Sequence, residues 1–186
     1  MLSGYDAIVI GASAGGFSAL GELLPQLPAG LPQAVVVVQH LHPRGGEYLV
    51  EYLNSHCAMP VKEAEDKEPI LPGVIYVAPA QYHLLIEQDR IFSLSVDDKV
   101  NYSRPSIDIL FSSAAAAYGP CLIGIILTGA NADGACGLAL IKERGGLTIV
   151  QEPKTAETPL MPQAAINQTG GPNHILPLAE IAGLLR

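Results

Sequence analysis

Cysteine is scarce: the chain holds three, Cys57, Cys121 and Cys136, and no C-x-x-C pair. An odd count without paired spacing argues against a disulfide framework and a structural zinc site. The three read as small buried hydrophobes of a reducing cytoplasm. Basic residues are also few, 10 Lys and Arg against 18 Asp and Glu, for a formal net charge of -8. Without a Lys/Arg cluster the chain is unsuited to sequence-independent binding of nucleic acid. Long apolar runs are missing too. "AVVVV" and "CLIGIIL" are far too short to span a bilayer, so no membrane insertion is expected. No charged segment leading into an apolar one opens the chain, so no secretion signal is read and a cytoplasmic location is expected.

What is present is a core. In 186 residues, 49% are hydrophobic, enough for a single domain over 1–186 with a substantial interior. Apolar runs of strand length alternate with amphipathic stretches. "DAIVIGA" and "QAVVVVQH" are continuous and β-branched, the pattern of strands buried on both faces. Between them Phe17, Leu20, Leu23 and Leu24 have helical spacing, ending at Pro25. Further helices are read in "GGEYLVEYLNSH", in "SIDILFSSAAAAYG" with Ser106 as N-cap and Gly119 as stop, in "DGACGLALIKERGG", in "MPQAAINQ" and over 177–186. "VIYVAP", "CLIGIILTG" and "LTIVQ" read as strands, "HLLIEQ" and "RIFSLS" as an antiparallel hairpin, and "VDDKVNYSRP" as a polar loop. The fold class is therefore α/β: a doubly wound, mainly parallel sheet with helices on both faces and a small antiparallel hairpin.

The turn "IGASAGG" after the first strand admits three readings. A dinucleotide site needs G-x-G-x-x-G and an acidic residue at the end of the second strand. Here Ser13 stands at the middle glycine and the second strand ends in Gln39-His40. Alternatively Gly11-Ala12-Ser13-Ala14-Gly15 matches G-x-S-x-G, which exposes a serine oxygen at a helix start whose free N–H groups can hold an oxyanion. Third, Ser13 caps the helix and does nothing more.

In a parallel sheet the strand ends on one edge meet at a common crevice. Ser13 follows the first strand, His40 the second, and Asp133 follows "IILTGANADG". If those strands are neighbours, His40 can take the Ser13 proton while Asp133 orients the imidazole. His42 is the nearest rival base, His56, His83 and His174 are further histidines, and Asp133 can instead be the N-cap of the helix after it.

"VIGASAGG", "VVVQHLHP", "GVIYVAPAQYHLLI", "RPSIDILF", "LTGANADGACGL" and "QEPKTAETPLMPQAAI", in this order, resemble the catalytic domain of the CheB chemotaxis protein-glutamate methylesterases over nearly the whole chain. The resemblance implies an α/β esterase with a Ser–His–Asp triad on Ser13, His40 and Asp133 and no cofactor or metal. Its implied substrates are glutamyl methyl esters, and certain glutamines, on the cytoplasmic helices of chemoreceptors. Amides near Ala14 and in the Gly129-Ala130-Asn131 turn are the oxyanion candidates, and Arg104 and Met161 the substrate-contact candidates. Ala130-Asn131 stands where the family often has Met-Gly, Ala14 where many members have threonine, and Tyr102-Ser103 where a histidine often occurs. The family also implies an N-terminal phosphoacceptor receiver domain. The first strand here begins a few residues from Met1, so the catalytic domain is expected without it, with a separate regulatory protein as a candidate partner. The alternative function is a binding or regulatory module of a signalling pathway that has lost turnover.

Overall fold

The computed structural model describes residues 3–40 and 46–186. Seven strands form one sheet in the order β3-β4-β2-β1-β7-β8-β9, every adjacent pair parallel. They are β1 Ala7–Ala12, β2 Ala34–Gln39, β3 Val61–Glu63, β4 Ile75–Val77, β7 Leu122–Ile126, β8 Leu147–Gln151 and β9 His174–Leu176. β5 His83–Ile86 and β6 Phe92–Ser95 make the expected antiparallel hairpin. β3 and β9 are additions to the sequence reading. Each is a three-residue strand at a sheet edge, too short to show a hydrophobic period.

The helices are α1 Gly16–Leu23, α2 Gly46–His56, α3 Ile107–Tyr118, α4 Ala135–Glu143, α5 Leu160–Thr169 and α6 Leu178–Leu184. Side-chain alternation along the inner strands makes two cores. Ile8, Ile10, Val35 and Val37 face one, with Leu20 and Leu23 of α1, Leu49 and Leu53 of α2 and Ile181 of α6. Val9, Val36 and Val38 face the other, with Phe111 of α3, Leu138 of α4, Ala165 of α5 and Phe92 of the hairpin. Strands covered on both faces read as unbroken apolar runs, as β1 and β2 do. Among the described residues no helix is long and apolar enough to cross a membrane.

The sheet order matters most for function. From β1 the chain passes to β2, crosses to the edge strand β3 and comes back to β4, then reaches β7 on the other side of β1. The crevice above β1 is thus flanked by the ends of β2 and β7, a topological switch point of the kind where doubly wound sheets place their sites.

Candidate active site

Register delivers the first two side chains. Ala12 of β1 pairs with Gln39 of β2, so the next residue on each strand, Ser13 and His40, emerges side by side. The ladder runs on past the strand ends: His40 N–H donates to Ala12 O at 3.1 Å, and Ser13 N–H to Thr128 O at 2.9 Å. The chain leaves Ser13 through Gly15, at φ 77, into α1. Gly15 is the N-cap position, and no side chain caps this helix. The capping reading of Ser13 therefore falls.

The Ser13 hydroxyl instead lies 3.3 Å from His40 Nδ1. That is long for an O–H···N bond, as such contacts often are before substrate closes the site. His40 Nε2 lies 2.9 Å from Asp133 Oδ2. With Nε2–H donating to the carboxylate, Nδ1 is the bare nitrogen, and it is the one turned to the serine. The imidazole is 13% exposed and the Asp133 side chain 0%, so a buried carboxylate backs an imidazole that solvent still reaches.

Asp133 is not the N-cap of α4; that position is Gly134, without a side-chain cap. Its carboxylate caps a different helix. Ile107 N–H donates to Oδ2 at 2.7 Å and Asp108 N–H to Oδ1 at 3.2 Å, both from the first turn of α3. Ser106 Oγ–H adds 2.8 Å and Asn101 Nδ2 2.9 Å, both to Oδ1. Burial by itself pushes the Asp133 carboxyl up. The bonds from His40, Asn101, Ile107 and Ser106 outweigh it and hold the group below the usual carboxylate range. α3 reaches so close because Gly134 has no Cβ. One built there would lie 2.5 Å from Ile107 Cγ2, at a φ of 90° that disfavours any side chain. Gly134→Ala is expected to destabilise the protein by about 1–3 kcal/mol and to slow turnover, read as a lower Tm and a lower kcat.

Gln39 is a site residue that motif reading missed. Its Nε2 donates to Ser13 O at 2.8 Å and His40 O at 2.9 Å, clipping the backbone of the one to that of the other. The amide fills the space a Cβ on Gly16 would need. The available signal was a lone polar residue closing an otherwise apolar, fully buried strand. Asn101, Ser106 and Asp108 also went unassigned to the site, because their roles depend on contacts across more than 20 residues.

The remaining candidates separate. Ala14 is exposed, and its carbonyl accepts from Thr128 Oγ1 at 2.8 Å. Among the described residues, the N–H groups of Ala14, Ala130 and Asn131 have no hydrogen-bond acceptor. Gly129 N–H is already committed to Thr158 O at 3.0 Å, so Gly129 is corrected from donor to spacer. Asn131 Oδ1 accepts from Asp133 N–H at 3.1 Å and shapes the turn. Met161 is also corrected. It is 1% exposed, packs its thioether beneath Gly129 and donates its N–H to Gly129 O, so it braces the turn from the core. Arg104 Nη1 donates to Val96 O at 2.6 Å and Asp97 O at 2.9 Å, and thus first of all ties its own loop together. A pocket of about 340 Å³ opens beside His40, lined further by Gln81, Lys99, Tyr102, Ser103, Arg104 and Pro105.

Of the other histidines, His83 is buried, accepts from Ser106 N–H and donates to Asp98 O, a structural role. His56 stacks on Tyr52, His174 lies on edge strand β9, and His42 lies outside the described residues. The cysteines depart from the expected burial: Cys57 and Cys121 are half-buried and Cys136 is exposed. Burial pushes the Cys57 thiol up to about 11. Burial, with the charges of Asp108 and Asp133, also raises Cys136. Neither is an activated nucleophile. Among the described residues no group of three or more His, Cys, Asp or Glu side chains is placed to hold a metal ion.

The family model of the CheB methylesterases matches residues 8–185. The chain belongs to the CheB methylesterase family. A Leptospira interrogans member is 52% identical over 180 residues, covering 97% of this chain and 93% of its own length. A protein-glutamate methylesterase/protein-glutamine glutaminase of Archaeoglobus fulgidus is 44% identical over 178 residues, covering 94% of this chain and 51% of that protein. This CheB-family chain thus spans about half the length of the archaeal relative. The crystal structure of the Thermotoga maritima CheB methylesterase catalytic domain superposes with a TM-score of 0.93 at 36% identity, covering 97% of each chain.

Proposed function

We propose that this chain is a serine hydrolase that demethylates glutamyl methyl esters of chemoreceptor helices. The observation that carries the reading is the unbroken contact chain from Ser13 Oγ through the His40 imidazole to the Asp133 carboxylate. The names of the relatives supply the substrate class.

Ser13 Oγ attacks the ester carbonyl while its proton passes to His40 Nδ1. The imidazolium that forms is stabilised by Asp133 through Nε2–H. The tetrahedral oxyanion is held by backbone N–H groups of Ala14, Ala130 and Asn131, a contribution of about 3 kcal/mol per donor in other hydrolases. Collapse expels methanol, which takes the proton from His40, and leaves a glutamyl ester on Ser13. Water then attacks with His40 again as base, releasing the glutamate carboxylate and free serine. A receptor glutamine follows the same course with ammonia as the leaving group, which gives the deamidase activity. No step needs a metal or a cofactor.

The test is methanol release from a methylated chemoreceptor helix, alongside labelling by a fluorophosphonate probe with the modified residue located by mass spectrometry. Turnover with labelling at Ser13 is expected. A folded protein that neither labels nor releases methanol would instead be a non-catalytic signalling module.

A further inference from the structure

The loop between β6 and α3 lines the pocket and sends Asn101 to Asp133, but it has no part in the mechanism above. It nevertheless folds tightly on itself. Val100 and Ser103 exchange backbone hydrogen bonds at 3.2 and 2.9 Å, and the two residues between them, Asn101 and Tyr102, both have positive φ, 50° and 63°. This is the two-residue turn in which asparagine is well tolerated. The stem is pinned as well, by Arg104 on Val96 O and Asp97 O and by His83 on Asp98 O.

The turn points at the triad. Asn101 Nδ2 donates one hydrogen to Asp133 Oδ1 and one to Asp108 Oδ2, each at 2.9 Å. Ser103 Oγ, two residues on, lies 3.5 Å from His40 Nδ1. Asp108 is otherwise held by Gly137 N–H at 2.7 Å. Two carboxylates therefore approach each other on either side of one amide. The titratable groups facing Asp133 are His40 from the end of β2, Asp108 from α3 and Cys136 from α4.

We infer that Asn101 is a positioning residue of the hydrolytic site: its side-chain amide bridges Asp108 and Asp133 and keeps Asp133 Oδ2 directed at His40. The inference rests on the hydrolase reading for its effect on rate, but not for the contact itself. Only a side chain with two donor hydrogens and no charge performs this task. An alanine removes both hydrogen bonds. An aspartate, nearly the same in shape, offers acceptors to two acceptors and adds a third negative charge.

The test compares Asn101→Ala and Asn101→Asp with the unmodified chain. It reads the fluorophosphonate labelling rate, the Tm, and the titration of the Asp133 carboxyl carbon by NMR. Asn101→Ala is expected to label about tenfold more slowly and to lower Tm modestly, because Asn101 contributes no core packing but alanine is strained at a φ of 50° and gives up both hydrogen bonds. Its Asp133 carboxyl should titrate at higher pH. Asn101→Asp is expected to be the slower of the two, although it is the closer match in shape. A role in packing or turn conformation alone predicts the opposite order, with aspartate near the unmodified protein. That order, or an Asp133 titration unmoved in Asn101→Ala, overturns the inference. Failure of the unmodified chain to label removes the hydrolase reading instead, while the carboxyl titration still decides the role of Asn101.

Discussion

Ser13→Ala is expected to lower methyl-ester turnover on the order of 10⁶-fold, the scale seen when a hydrolase loses its nucleophile, while leaving Tm nearly unchanged. The two halves of that expectation have separate physical grounds. The hydroxyl's interaction with His40 is 3.3 Å long and part-exposed, so its removal strands no buried donor. The groups that place residue 13 are backbone: Ser13 N–H on Thr128 O, and Ser13 O receiving Gly16 N–H and Gln39 Nε2. Alanine keeps all of them. Circular dichroism and thermal melts establish the fold of the variant, and methanol release reads the loss. Turnover within tenfold of the unmodified enzyme would exclude Ser13 as nucleophile.

Asp133→Asn is expected to cost roughly 10⁴-fold in kcat and, unlike the serine change, to destabilise the protein. The carboxylate accepts five hydrogen bonds, from His40, Asn101, Ser106 and the Ile107 and Asp108 amides. An asparagine turns one oxygen into an NH₂ group. If that group faces Oδ2's partners, Ile107 N–H is left buried without an acceptor and the imidazole loses the group that selects its tautomer. If it faces the other way, Ser106, Asn101 and Asp108 lose theirs. Each stranded buried donor costs about 1–3 kcal/mol.

The pH dependence of stability should differ as well. Folding depresses the Asp133 carboxyl below its usual 3.8, so it contributes stability that is present above that value and is lost as pH falls through the folded one. Asp108, raised by burial despite the Gly137 N–H, contributes with the opposite sign and favours the folded state below 3.8. The stability gap between the unmodified protein and Asp133→Asn, from urea unfolding, should therefore narrow as pH drops below about 4. A gap that stays constant with pH would mean Asp133 carries no depressed pKa.

Local sequence was legible where burial or turn chemistry made its own pattern. β1 and β2 stood out because both faces are covered, and α3 because Ser106 caps its start and Gly119 closes it. The edge strands β3 and β9 were not legible. Three residues with one face half open carry no period, and their pairing exists only through β4 and β8. The alternative that Asp133 caps the helix after it does not hold; its carboxylate caps α3 instead. An acid before a helix signals a cap only locally, and the helix it caps, α3, begins 26 residues earlier in the chain. Met161 failed as a substrate contact for a related reason. Nothing in "PLMPQ" tells which face of α5 turns to the core.

The ordered motifs pointed to the family by resemblance; by itself the sequence otherwise determined the α/β class and the three polar residues that follow β1, β2 and the β7 region as site candidates. Those are properties of hydrophobic period and local order, which each segment carries alone. Only the tertiary structure decided that β2 and β7 flank β1, that Ser13 and His40 share a register, and that Gln39 and Asn101 support them. Sheet order and register are settled by which faces can be buried together, and that balance belongs to the whole chain.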